Sequence, residues 1–72
     1  MVKNDVIKTL AVLLRDQSEY MDLRVAAAEA LGYSGFSDGR DALLNVIQDE
    51  VEDLTIRAAA IRALGRTLQE GK

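Results

Sequence analysis

The stretches LRVAAAEALG (residues 23–32) and IRAAAIRALG (residues 56–65) are nearly the same ten-residue phrase, and they lie 33 positions apart in a chain of 72 residues. The same shift pairs identical or similar residues well beyond both stretches. Identical pairs include Leu10 with Leu43, Asp16 with Asp49, Glu19 with Glu52, and Arg24 with Arg57. Matches spread over most of a 33-residue period in one register indicate an internal duplication.

Each copy predicts two helices. Apolar residues at positions 6, 7, 10, 13 and 14 follow the helical period and not strand alternation. The first helix is predicted from a cap at Asn4 to about Asp16, and the second from Leu23 to about Tyr33. The third is predicted from Arg40 to about Asp49 after a cap at Ser37 or Asp38, and the fourth from about Thr55 to Gln69.

Alanine dominates the predicted inner faces of the second and fourth helices. These faces contain Leu23, Ala26, Ala27, Ala30 and Leu31 in the first copy, and Ile56, Ala59, Ala60, Ala63 and Leu64 in the second. Small side chains let neighbouring helices approach closely, while leucine and isoleucine fill the gaps. Asp22 and Thr55 are the expected caps of these two helices, and the fourth is expected to fray or bend at Gly65.

The predicted fold class is therefore all-α, an α-solenoid of two helical hairpins with four helices. Residues 1–72 form one domain, with repeats at about 4–36 and 37–70. Because stacked repeats depend on their neighbours, two copies are expected to dimerise, to be completed by another protein, or to belong to a longer array.

Composition argues against several classes of function. The chain has no cysteine and no histidine, which removes the usual thiolate nucleophile, neutral-pH base and zinc ligands. We therefore expect no enzyme, no catalytic residue, no metal and no cofactor. No apolar run approaches the roughly 18 residues of a membrane span, and MVKNDV does not resemble a signal peptide, so we expect a soluble cytoplasmic protein with no membrane partner.

Charge is unevenly distributed along the chain. Residues 1–53 have a balance of −6, whereas residues 54–72 have a balance of +3. An acidic chain with one basic helix argues against nucleic acid as the dedicated partner, because such binders depend on a basic surface.

Two short motifs have ordinary explanations. GYSGF (residues 32–36) departs from the glycine spacing of a nucleophile elbow and is better explained as a helix-ending turn. DEVED (residues 49–53) lacks the glycine and the length of a calcium loop, and is better explained as a solvated acidic link; docking of a basic partner is the alternative.

The pattern LR-V-AA-x-x-ALG, followed by a glycine-containing turn and a leucine-rich helix, resembles HEAT repeats. The short repeats of phycobilisome-lyase-like (PBS lyase) proteins are the nearest variety, and the resemblance covers about residues 8–70. It implies two HEAT-like hairpins and a protein–protein interaction module, scaffold or adaptor. It also implies the alternative of an accessory subunit related to phycobilin lyases. Tetratricopeptide repeats are the structural alternative, although their Trp and Pro signature is absent.

Arg24 and Arg57 form a structural repeat pair, one at the start of each second helix. They are predicted to pair with loop carboxylates such as Asp16, Glu19, Asp49 or Glu52, and to bridge adjacent repeats. A recognition ladder for acidic ligands is the alternative.

A candidate protein-binding surface is predicted on the second and fourth helices. It comprises Ala28, Glu29, Tyr33, Ile61, Arg62, Arg66 and Leu68. Ile61 and Leu68 replace the smaller Ala28 and Gly35 of the first copy, so they either cover the end of the core or contact another molecule. The partner is expected to be a protein, and a homodimer through the terminal helix is one form of this hypothesis.

Overall fold

The computed structural model describes residues 3–35 and 37–70, and this part of the chain contains four α-helices and no strand. The helices are α1 (Lys3–Arg15), α2 (Met21–Ser34), α3 (Ser37–Gln48) and α4 (Leu54–Glu70). α2 packs against α1, α3 and α4, and α4 packs against α2 and α3. The predicted all-α class of paired helical hairpins is confirmed. Phe36, at the predicted repeat boundary, lies outside the described residues.

Every helix begins earlier than predicted, so the expected caps are wrong. Asp22 and Thr55 lie inside the first turns of α2 and α4, and Asn4, Ser37 and Asp38 are likewise helical. The capping carboxylate of α4 belongs instead to Asp53, whose Oδ1 accepts a hydrogen bond from the Thr55 amide at 2.7 Å. Tyr20 holds the equivalent position before α2, and its side chain makes no capping hydrogen bond.

The two glycine-containing helix ends behave differently. α2 ends at Gly35, whose φ of 71° is the left-handed conformation that closes a helix most easily at glycine. α4 instead continues through Gly65 to Glu70, so the expected fraying at Gly65 is wrong. One interior glycine costs only about 1 kcal/mol, and the remaining hydrogen bonds of a long helix outweigh that cost.

The duplication extends to individual hydrogen bonds. Asp16 Oδ1 accepts from the Ser18 amide at 2.9 Å, as Asp49 Oδ1 accepts from the Val51 amide at 3.0 Å. Further bonds recur with the same shift, written here from donor to acceptor: Arg24 to Leu14 and Arg57 to Ile47, Tyr20 to Glu19 and Asp53 to Glu52, and Ser34 to Leu31 and Thr67 to Leu64. The two loops and the side chains that brace them are therefore copies of one hairpin.

The core lies between the two hairpins and includes residues of all four helices. Its largest fully buried side chains are Leu14, Leu31, Leu43 and Ile56. α2 and α4 approach closely at Gly32, where an added Cβ would lie 2.8 Å from the Ala63 carbonyl oxygen. Small residues at this contact thus allow the close packing of the two hairpins.

The inner face of α2 is rotated from the predicted one. Leu23 and Ala26 are exposed, whereas Arg24 and Ala28 are buried. The predicted face of α4 is buried except for the half-buried Leu64. The copies differ in their neighbours. α2 lies against α4 at Ala63, on the same face as the buried Ile56 and Ala59, whereas their equivalents Leu23 and Ala26 are exposed.

Candidate interaction site

The predicted surface on the second helices divides into three groups. Glu29, Tyr33, Arg62 and Arg66 are exposed and border one groove between α2 and α4. Ile61 and Leu68 are exposed on another side of α4. Ala28 is fully buried, so its assignment to the surface is wrong. Alanine at this position is small enough to be enclosed where the two repeats meet.

The groove arises from helical spacing on two neighbouring helices. Glu29 and Tyr33 are four residues apart on α2, and Arg62 and Arg66 are four apart on α4, so each pair lies on one face. Ala59 and Ala63 also line the groove, which has a volume of about 220 Å³. Small residues between long charged ones leave an open channel with polar walls.

A cation–π contact joins the walls of the groove. The Arg66 guanidinium carbon lies 4.3 Å from the centre of the Tyr33 ring. At an exposed site such a contact contributes about 0.5–1 kcal/mol, and it orders a planar donor against a flat aromatic surface. Arg62 has no carboxylate partner among the described residues. The groove thus offers one ordered and one uncommitted guanidinium.

Ile61 and Leu68 belong to an exposed apolar line on α4. Leu54, Ile61 and Leu68 recur every seven residues and are 77%, 56% and 72% exposed. Such exposure means that Ile61 and Leu68 do not cover the end of the core, which was one of the two predictions for them. The seven-residue spacing of Leu54, Ile61 and Leu68 is the signal in the sequence that indicates this line, although the resemblance between the two copies does not point to Leu54.

Arg24 forms a buried ion pair between the two hairpins. Its Nη2 lies 2.6 Å from Glu52 Oε2, and both side chains are only 4% exposed. Its Nε donates to the Leu14 carbonyl oxygen at 2.9 Å. The pair therefore ties the end of α1 and the start of α2 to the loop before α4. A ligand cannot reach Arg24, so the recognition-ladder alternative is wrong for this residue.

Arg57 makes the equivalent hydrogen bonds to the preceding helix but not the ion pair. Its Nε and Nη2 donate to the Ile47 carbonyl oxygen at 3.1 and 2.8 Å. No carboxylate among the described residues pairs with it. Glu19, the equivalent of Glu52, is half-buried and uses Oε1 to accept from the Tyr20 amide. Its Oε2 has no donor among the described residues.

The loop aspartates brace the loops and do not pair with arginine. Hydrogen bonds from the Ser18 hydroxyl and the Ser18 amide to Asp16 lower the pKa of the Asp16 carboxyl below its ordinary value. Distant attraction from Arg24 contributes least to this lowering. Both bonds favour the charged carboxylate, so Asp16 helps to hold the α1–α2 loop.

Residues 3–35 and 37–70 contain neither a cluster of metal-ligating side chains nor a helix suited to a membrane. No group of acidic side chains there has an arrangement that could hold a metal ion. None of the four helices is both long enough and apolar enough to cross a membrane.

The repeated hairpins and the close α2–α4 contact define the class of α-helical repeat proteins. The family model for HEAT repeats matches residues 5–71. The chain therefore belongs to the HEAT-repeat family. No curated protein and no solved structure matches it significantly.

Proposed function

We propose that this HEAT-repeat protein is a non-catalytic protein–protein interaction module that uses the α2–α4 groove to bind an acidic segment of a partner. HEAT repeats are commonly protein-interaction modules, which supports the general class. The observation that carries the proposal is the exposed pair Arg62 and Arg66 beside Tyr33. Guanidinium groups bind carboxylates through paired hydrogen bonds, and a tyrosine ring supplies rigid apolar contact.

The charge of the groove favours an acidic partner and fixes its register. Two arginines and one glutamate give its border a net positive charge, although the whole chain is acidic. A partner with carboxylates spaced along one helix or extended segment would reach both arginines, and its apolar side chains would lie against Ala59 and Ala63. Glu29 would repel an acidic residue placed over it and thereby set the register.

Binding of labelled peptides tests this proposal. A peptide of alternating glutamate and leucine is expected to bind, and the matched lysine and leucine peptide is not. Arg62→Glu with Arg66→Glu should weaken the acidic peptide at least about tenfold, because two attractive contacts become repulsive. Arg40→Glu is the control for a single charge reversal elsewhere, since Arg40 is exposed on α3 outside the groove. Fluorescence anisotropy measures each affinity.

Two results would refute the groove as the binding site. Equal affinity for both peptides would remove the charge selection, and an unchanged affinity of the double variant would place the binding elsewhere. Duplex DNA in place of the peptide separates this proposal from nucleic-acid binding, which requires a larger basic surface. Stronger binding of DNA than of the acidic peptide at low salt would favour that other class.

The narrower hypothesis of an accessory subunit related to phycobilin lyases stays a prediction. No feature of the described residues favours it over peptide binding. A cytoplasmic location and a homodimer through the terminal helix likewise remain predictions.

A further inference from the structure

The two repeats differ in burial at equivalent positions, and the differences define two faces. On α2, Leu23, Ala26 and Ala30 are more exposed than their equivalents Ile56, Ala59 and Ala63; we call these three residues the front face. On α4, the exposed residues Ala58, Ile61 and Gly65 correspond to Val25, Ala28 and Gly32, which are half-buried or buried; with Leu68 they form the back face.

The internal contact between the repeats is the contact of a back face with a front face. Ala28 and Gly32 of α2 are buried, and Gly32 lies against Ala63 of α4. The front face of α2 and the back face of α4 are the two halves of this contact that have no described partner. Gly65 retains the small residue of Gly32, and an added Cβ there would meet nothing within 4 Å.

The ion pair between the repeats also leaves two complementary halves. Internally, Arg24 of the first repeat pairs with Glu52 of the second at 2.6 Å. The equivalent groups are Arg57 beside the back face and Glu19 beside the front face, and neither has an ion-pair partner in the part of the chain that the structure describes. A screw operation that takes the first repeat to the second would bring Glu19 of another copy to Arg57. One copy thus carries both the cation and the carboxylate that the contact requires.

From these observations we propose that the protein associates head to tail, with the front face of one copy on the back face of the next. Arg57 then pairs with Glu19 of the following copy, as Arg24 pairs with Glu52 within the chain. Ile61 and Leu68 are larger than Ala28 and Gly35. The two helices that meet between copies are therefore farther apart than α2 and α4 within the chain, and their contact buries more apolar side chain. The −6 balance of residues 1–53 and the +3 balance of residues 54–72 favour the same orientation.

Head-to-tail contact is heterologous. It builds an open chain of copies, or a ring where the rotation between copies closes. Sedimentation velocity from micromolar to millimolar concentration should therefore show species that grow beyond a dimer. Glu19→Arg should weaken the association about thirtyfold or more, because it places two arginines together. Glu50→Arg makes the same charge change in the exposed loop of the other repeat and should leave the association within about threefold of wild type.

Charge exchange gives the sharpest test. Arg57→Glu alone should be monomeric, and mixing it with Glu19→Arg should restore the association, as should the two changes in one chain. Arg57 also braces Ile47, so its variant requires a thermal melt to confirm folding. Ala26→Arg is the substitute if it does not fold, because Ala26 is exposed on the front face and lies outside the core of its own chain.

Each outcome decides the proposal. The proposal is supported if the assemblies grow with concentration, if Glu19→Arg and Ala26→Arg lose the association, and if charge exchange restores it. A wild-type monomer at millimolar concentration overturns it. A closed dimer that tolerates both Glu19→Arg and Ala26→Arg also overturns it, and assigns α4 to a symmetric contact instead. Peptide binding in the α2–α4 groove is measured separately on the monomer, so failure of one proposal does not mimic failure of the other.

Discussion

Arg24 and Arg57 occupy the same position in two copies of one hairpin, yet their surroundings differ. Arg24 is 3% exposed and paired with Glu52, whereas Arg57 is half-buried and, among the described residues, its side chain donates only to the Ile47 carbonyl oxygen. Their local hydrogen bonds are equivalent, because both arginines reach back ten residues to the end of the preceding helix. The difference lies in the neighbouring repeat, which supplies Glu52 to the first arginine and no described carboxylate to the second.

The helices show the same contrast over a larger area. Ala28 is fully buried while Ile61 is 56% exposed, and Ile56 is fully buried while Leu23 is 46% exposed. The sequence of one repeat therefore does not by itself determine which of its faces is buried. Which of its faces becomes core depends on the neighbour that packs on it.

The largest expected effect is on the buried ion pair. Arg24→Ala should lower the free energy of unfolding by about 3–5 kcal/mol, because it leaves Glu52 buried without its partner. Arg57→Ala removes hydrogen bonds at a partly exposed site and should cost about 1 kcal/mol. Urea denaturation followed by circular dichroism measures both. Equal losses would mean that the ion pair does not distinguish the two repeats.

Alanine substitutions at the two equivalent glycines should have opposite effects. Gly32→Ala puts a Cβ 2.8 Å from the Ala63 carbonyl oxygen and should cost about 1–3 kcal/mol, because the helices must move apart. Gly65→Ala meets no neighbour and should stabilise the monomer by up to about 1 kcal/mol through higher helix propensity. Thermal melts at low protein concentration measure the two shifts. A stabilised Gly32→Ala would disprove the close α2–α4 contact.

The smallest expected effect concerns the two loops. Ser18→Val introduces valine, as in Val51 at the equivalent position of the second repeat, and removes the hydroxyl bond to Asp16. The pKa of Asp16 should therefore rise toward its ordinary value. A lowered pKa stabilises the fold above the ordinary aspartate pKa, and this contribution is lost as pH falls through the lowered value. The variant should therefore lose less stability on acidification. Carboxyl NMR titration measures the pKa, with the exposed Thr9→Val on α1 as a control that should leave it unchanged.

Much of the fold could be predicted from the repeated phrase. The 33-residue shift and the helical spacing of apolar residues predict four helices in two hairpins, because these patterns depend on local backbone geometry. Helix starts were less accurate. A capping side chain is one weak local signal among several nearby candidates. The path of the backbone before α4 places Asp53, and not Thr55, where its side chain accepts a hydrogen bond from the first turn.

The candidate site was only partly predictable. Glu29, Tyr33, Arg62 and Arg66 share a groove because the two second helices lie side by side in register, which the duplication implies. Ala28 was misplaced because α2 is apolar around most of its circumference, and periodicity alone does not tell which side meets the next repeat.

By itself, the sequence determined the helices, the number of repeats and the residues that the two copies share, since each depends on patterns within one hairpin. Only the tertiary structure decided which carboxylate pairs with Arg24, which face of α2 is buried, and which groups stay unpaired at Arg57 and Glu19. The physical reason is that burial and ion pairing depend on contacts between hairpins, and the pattern within one hairpin does not specify which neighbour packs on it.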